Sequence, residues 1–212
     1  MSLHSLRSTL LATFALSVVA FAQVTVDTPY QVRYASNLLN AGDSVINITN
    51  SGARGAGLAA GTTAATTGAI CVNVYAFSPD EQMISCCSCP VTPNGLVSLS
   101  TRRDLVNNTL TPAVPTAIVV KLLASTPVGG SCSGSAANPG ELTSGMLAFG
   151  TTVHAGVAAG STVITETPFL PATLSAGEAA RLTNLCTFIQ ANGSGFGICS
   201  TCRLGGLGAG RL

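Results

Sequence analysis

The chain has 212 residues, a formal charge of +1 and only 8% charged side chains, against about 25% in typical soluble proteins. Arg102 and Arg103 are its only adjacent cations, so it lacks the basic clusters that neutralise phosphates, which excludes nucleic-acid binding. So little charge also removes the repulsion that keeps proteins apart, and this favours self-association or burial in a matrix.

Residues 1–22, MSLHSLRSTLLATFALSVVAFA, place Arg7 ahead of an apolar run from Leu10 to Val19 and end in Ala20-Phe21-Ala22. This is the pattern of a secretory signal peptide cleaved before Gln23, and the apolar run is short for a bilayer span. The mature part then carries eight basic and eight acidic side chains. Its length suits one domain with a sizeable core. The expected division is a signal peptide at 1–22, a β-sandwich at 23–170, and a helix with a cysteine-containing tail at 171–212 on the same domain. The destination is extracellular, cell-surface or periplasmic.

Short alternating segments follow in chain order. YQVRYA (Tyr30 to Ala35) and SVINIT (Ser44 to Thr49) read as strands between turn-forming clusters. GARGAGLAAGTTAATTGA (Gly52 to Ala69) reads as a mobile loop with little to bury. AICVNVYAF (Ala69 to Phe77) is the clearest strand, with Ile70, Val72 and Val74 on one face and Cys71, Asn73, Tyr75 and Phe77 on the other. After Ser78-Pro79-Asp80-Glu81, QMISCCSC returns as a hairpin partner. One register places Cys71 beside Cys89 for a cross-strand bridge; a slip of one residue puts them on opposite faces. Further strands are expected at Leu96 to Ser100, Thr116 to Ala124, Met146 to His154 and Thr162 to Glu166. The uncharged stretch from Leu142 to Thr165 is long enough to span a bilayer. Half of it is Ser, Thr, Gly or His, which suits strands, so no transmembrane helix is expected after the signal. Ser175 with Glu178 forms a capping box, and Leu182, Leu185, Cys186 and Ile189 recur at helical spacing up to Asn192-Gly193. The fold class is therefore mainly β: an antiparallel β-sandwich, one carboxyl-terminal amphipathic helix from about Ala176 to Ala191, and a disulfide-tied glycine-rich tail.

All eight cysteines (Cys71, Cys86, Cys87, Cys89, Cys132, Cys186, Cys199 and Cys202) lie beyond the signal. An even count in an exported chain predicts four disulfides, whose pairing 105 connectivities leave open. The CCSC and CSTC groups also hold enough thiolates for a metal site. On a strand, however, Cys86 and Cys87 point oppositely, leaving Cys87 with Cys89, and an oxidising compartment favours bridges. Arg203 stands where c-type haem attachment needs histidine. Cys199-Ser200-Thr201-Cys202 lacks the helix start that activates a redox cysteine, and reads as a structural tie.

Catalytic patterns are weak. Gly130-Ser131-Cys132-Ser133-Gly134 resembles a nucleophile elbow without the strand and helix that frame one, and His154 is the only histidine of the mature part. A partly buried, hydrogen-bonded histidine is the expectation there. No acidic pair is linked across a cleft for glycoside hydrolysis, no Asp-rich loop suggests calcium, and GSGFG (Gly193 to Gly197) lacks the context of a phosphate cradle. Asn47, Asn107 and Asn192 head N-glycosylation acceptor patterns of the kind that arise by chance.

The hairpin VNVYAFSPDEQMISCCSCPVTPNGLVSLS and the ending FIQANGSGFGICSTCRLGGLGA resemble those of an uncharacterised family of secreted bacterial proteins. The resemblance implies an exported, cysteine-stapled protein and brings no activity with it. The chain is thus expected to be a non-enzymatic structural or adhesive protein that self-associates, needing no cofactor or metal. The alternatives are a ligand- or carbohydrate-binding module using the Gly52 to Ala69 and Ser125 to Pro139 loops, and a thiol-redox or metal-binding protein using the cysteine clusters.

Overall fold

The computed structural model describes residues 27–38, 42–56, 67–135, 141–156, 158–199 and 203–204. The expected signal peptide, residues 57–66 of the first candidate loop, 136–139 of the second, Cys202 and the tail from 205 lie outside the described residues.

Two antiparallel five-stranded sheets face each other, and one helix covers the back of the first. The strands are β1 (Tyr30–Ala35), β2 (Asp43–Asn50), β3 (Ile70–Phe77), β4 (Met83–Val91), β5 (Leu96–Ser100), β6 (Ile118–Ser125), β7 (Met146–Ala155), β8 (Thr162–Pro168), β9 (Leu170–Pro171) and β10 (Arg203–Leu204). Sheet A runs β4-β3-β6-β1-β9 and sheet B runs β10-β5-β2-β7-β8. The helix, α1, spans Ala176–Ala191.

Alternation along the strands builds two cores rather than one. Ile70, Val72, Val74 and Ala76 of β3 meet Ile46, Ile48, Val97 and Leu99 of sheet B between the sheets. The other face of β3, with Tyr75 and Phe77, packs under Leu182, Cys186 and Ile189 of α1. All eight residues of β3 are buried because both of its faces are covered. Burying each large apolar side chain contributes about 1.5–3 kcal/mol before entropy is counted.

The capping box forms in part. Ser175 Oγ accepts the Glu178 backbone N–H at 3.1 Å, as an N-cap should. The Glu178 carboxylate turns instead to the ammonium of Lys121 on β6, at 2.5 Å. Lys121, the only lysine of the chain, also lies 4.8 Å from the Phe77 ring centroid. This ties α1 to sheet A through a partly buried charge pair.

The Cys71–Cys89 expectation is corrected. Cys71 stands opposite Pro90, and Val72 opposite Cys89, so the two cysteines point to opposite faces and cannot bond. Three elements carry no legible signal in the sequence: the two-residue strands β9 and β10, and a one-turn π-helix at Thr101–Leu105. The π-turn closes with Val106 N–H donating to Thr101 O at 2.9 Å.

Candidate functional site

The cysteine clusters form staples. Cys71 on β3 bonds Cys132 in the loop after β6, Cys86 bonds Cys186 on α1, and Cys87 bonds Cys199. Their Cα–Cα separations are 5.4, 5.8 and 5.4 Å, within the usual range for unforced bridges. Cys89, fully buried between the sheets, is disulfide-bonded as well. Cys86 and Cys87 point to opposite sides of β4, as strand alternation requires, and Cys87 shares its face with Cys89. No cysteine is free among the described residues.

Other expected groups do not converge on chemistry. Cys132 is consumed by its bridge, so it offers no thiolate to His154. His154 is half-buried and shares a hydrogen bond of 3.1 Å with Thr165, as expected of a structural histidine. Among the described residues no group of three or more His, Cys, Asp or Glu side chains is placed to hold a metal. No described helix is long and apolar enough to cross a membrane. The GSGFG run serves the fold: Cys86 N–H donates to Gly197 O at 2.8 Å, and Cys199 N–H donates to Cys86 O at 3.4 Å. Residues 197–199 therefore strap the outer edge of β4. Gly197 is required there, with φ +76° and a would-be Cβ only 2.8 Å from Ile189 Cγ2.

The opposite side of the sandwich is open among the described residues. β8 is the outermost strand of sheet B, and all seven of its residues are exposed. In sheet A, β9 covers β1 only at Gln31 and Val32, so Arg33 to Ala35 have no described strand partner on that side. The Arg33 side chain spans this gap. Its Nη1 donates to Ser44 Oγ at 2.9 Å, Nη2 to Thr152 Oγ1 at 2.9 Å, and Nε to Thr167 Oγ1 at 3.2 Å. These hydroxyls come from β2, β7 and β8, so one guanidinium braces sheet A against three strands of sheet B.

Gly150 makes the brace fit, because a Cβ there would stand 1.9 Å from Arg33 Cζ. No carboxylate forms an ion pair with Arg33 among the described residues, and burial alone lowers its pKa. Beside it lies an open groove of about 560 Å³ lined mainly by Val32, Arg33, Tyr34, Thr167, Leu170 and Pro171. The surroundings of Arg33 could not be read in the sequence, since two of its three hydroxyl partners, Thr152 and Thr167, lie 119 and 134 residues away. The exposure of β8 had no signal of its own in the sequence, where Thr162 to Glu166 reads only as a strand.

No protein-family model matches the chain, and neither curated proteins nor solved structures gave a match.

Proposed function

We propose that this protein is an exported, disulfide-stabilised structural or adhesive component that works outside the cytoplasm and self-associates. The observation that carries the reading is a stapled body with one exposed strand, β8, at a sheet edge that carries a single charge, Glu166. Bridges on both faces of β4 suit an oxidising compartment, and the resemblance to secreted bacterial proteins supports export. The reading predicts concentration-dependent association of the mature protein, measured by light scattering behind size exclusion. A monodisperse monomer at high concentration, with no larger species in the native secretion, would overturn it.

A second reading, a ligand-binding module, is favoured by the groove beside Arg33. A ligand held there would raise the thermal midpoint in proportion to its occupancy. The thiol-redox reading needs free thiols, and the described cysteines are all bonded.

A further inference from the structure

We propose that β8 is the contact through which two copies of this chain pair, antiparallel about a twofold axis centred on Thr165. The proposal rests on the self-associating reading above and names its partner and register.

Strand edges expose unpaired backbone N–H and C=O groups, and proteins normally blunt them with lysine, proline, a bulge or a cover. The other described edges are managed in this way. Residues 197–199 strap β4, β9 is two residues long and ends at Pro171, and β10 lies against β5. Among the described residues nothing covers β8, and it carries none of the other devices before its last residue. It holds no lysine, its register with β7 runs unbroken from Thr162 to Pro168, and its only proline is the last residue. Val163 and Ile164 are 51% and 59% exposed. Each copy offers the same row of donors and acceptors, so a second copy satisfies the edge by symmetry.

Side-chain alternation and charge then select the register. Met146 and Ala148 of β7 face the inter-sheet core, so Thr165 and Thr167, level with Thr152 and Gly150, face inward, while Ile164 and Glu166 face outward. A twofold axis keeps the faces matched only if it passes through a residue. Centred on Glu166, it would set two carboxylates directly opposite; centred on Ile164, it would leave the end of the strand unpaired. Centred on Thr165, it sets all seven residues opposite a partner residue, Pro168 contributing no N–H, and places Ile164 beside the partner's Glu166. Glu166 is the only charge on the strand, so this arrangement opposes no like charges. With eight basic and eight acidic side chains in the mature part, long-range repulsion is also small.

The footprint sets the strength. Seven residues at about 3.4 Å give an edge about 24 Å long, and a depth of about 10 Å gives about 240 Å² per copy. That is well below the roughly 800 Å² per partner of a standard interface. The dimer is therefore weak, and forms where the protein is concentrated.

The test is sedimentation equilibrium of the mature protein from about 10 µM to about 1 mM, beside Ile164→Glu, Ile164→Lys and the double variant Ile164→Glu with Glu166→Lys. Circular dichroism and thermal melts establish that each variant folds. Ile164→Glu sets its carboxylate against the partner's Glu166 and is expected to weaken the dimer about tenfold or more, whereas Ile164→Lys meets an opposite charge and keeps it. The double variant restores association. Equal loss in both single variants would show an apolar contact in another register and overturn the proposal. Association unchanged in both would overturn it while leaving the self-associating reading intact. A wild-type monomer throughout would overturn both.

Discussion

Cys86 and Cys87 are adjacent on β4, yet their disulfides leave the sheet in opposite directions. Cys86 reaches Cys186 on the helix over the back of sheet A, and Cys87 reaches Cys199 on the inter-sheet side. One dipeptide thereby fastens both the helix and the segment that follows it to the same strand. The sequence separations of 100 and 112 residues make these long loops, where the loss of denatured-state entropy is large.

Replacing Cys86 and Cys186 together by alanine is expected to cost about 2–4 kcal/mol. The denaturant midpoint should fall accordingly, and amide exchange should accelerate first in α1. Unchanged exchange in the helix would mean that its apolar face alone holds it.

Three bridges account for six of the eight cysteines and Cys89 is bonded too; by count, the expected fourth bridge joins it to Cys202, which lies outside the described residues. Reduction of the mature protein should therefore add about eight hydrogens. A non-reducing digest should yield a peptide joining Cys89 to Cys202. Any mass gain short of this would leave thiols free for chemistry.

Gly150→Ala should destabilise the protein by about 1–3 kcal/mol, since the new methyl displaces the Arg33 guanidinium from its three hydroxyl partners. Paired with Arg33→Ala, the loss should be clearly less than additive. Additive losses in the double-mutant cycle would show that Arg33 and Gly150 do not act through each other.

Asp104 is buried, with its side chain 0% exposed, accepting the Ser100 N–H at 2.8 Å and the Arg103 guanidinium at 2.9 Å. Asp104→Ala should cost about 1–3 kcal/mol by leaving the Ser100 N–H unsatisfied where the π-turn begins. Urea titration would measure this, and a neutral result would show that the turn re-pairs itself.

Burial, with the charge of Glu178 as a lesser cause, raises the Tyr30 pKa to about 12. Burial raises Tyr75 as well; its hydroxyl donates to Gly134 O at 2.8 Å. The folded state thus holds these protons more tightly than the unfolded chain, whose tyrosines titrate near about 10. Their contribution to stability is full below about pH 10 and is lost as pH rises toward about 12. Phenolate absorbance should therefore rise in step with alkaline unfolding for two of the three tyrosines. Their ionisation in the native state near pH 10 would contradict the burial.

The sequence by itself determined the fold class, the approximate positions of β1 to β8 and the limits of α1, because each depends on local pattern. β1 and β5 occupy the residues that alternation indicates, and α1 runs over Ala176–Ala191 between its Ser175 cap and Gly193. It also required Cys86 and Cys87 to diverge, since neighbours on a strand face opposite ways. Pairing was another matter. A one-residue difference in the β3–β4 register separates Cys71 from Cys89, and nothing local fixes that register. Only the tertiary structure decided the bridges, the Arg33 brace over Gly150 and the open edge at β8. These depend on which strands become neighbours, in several cases across some hundred residues of chain, and that is set by the packing of both cores together.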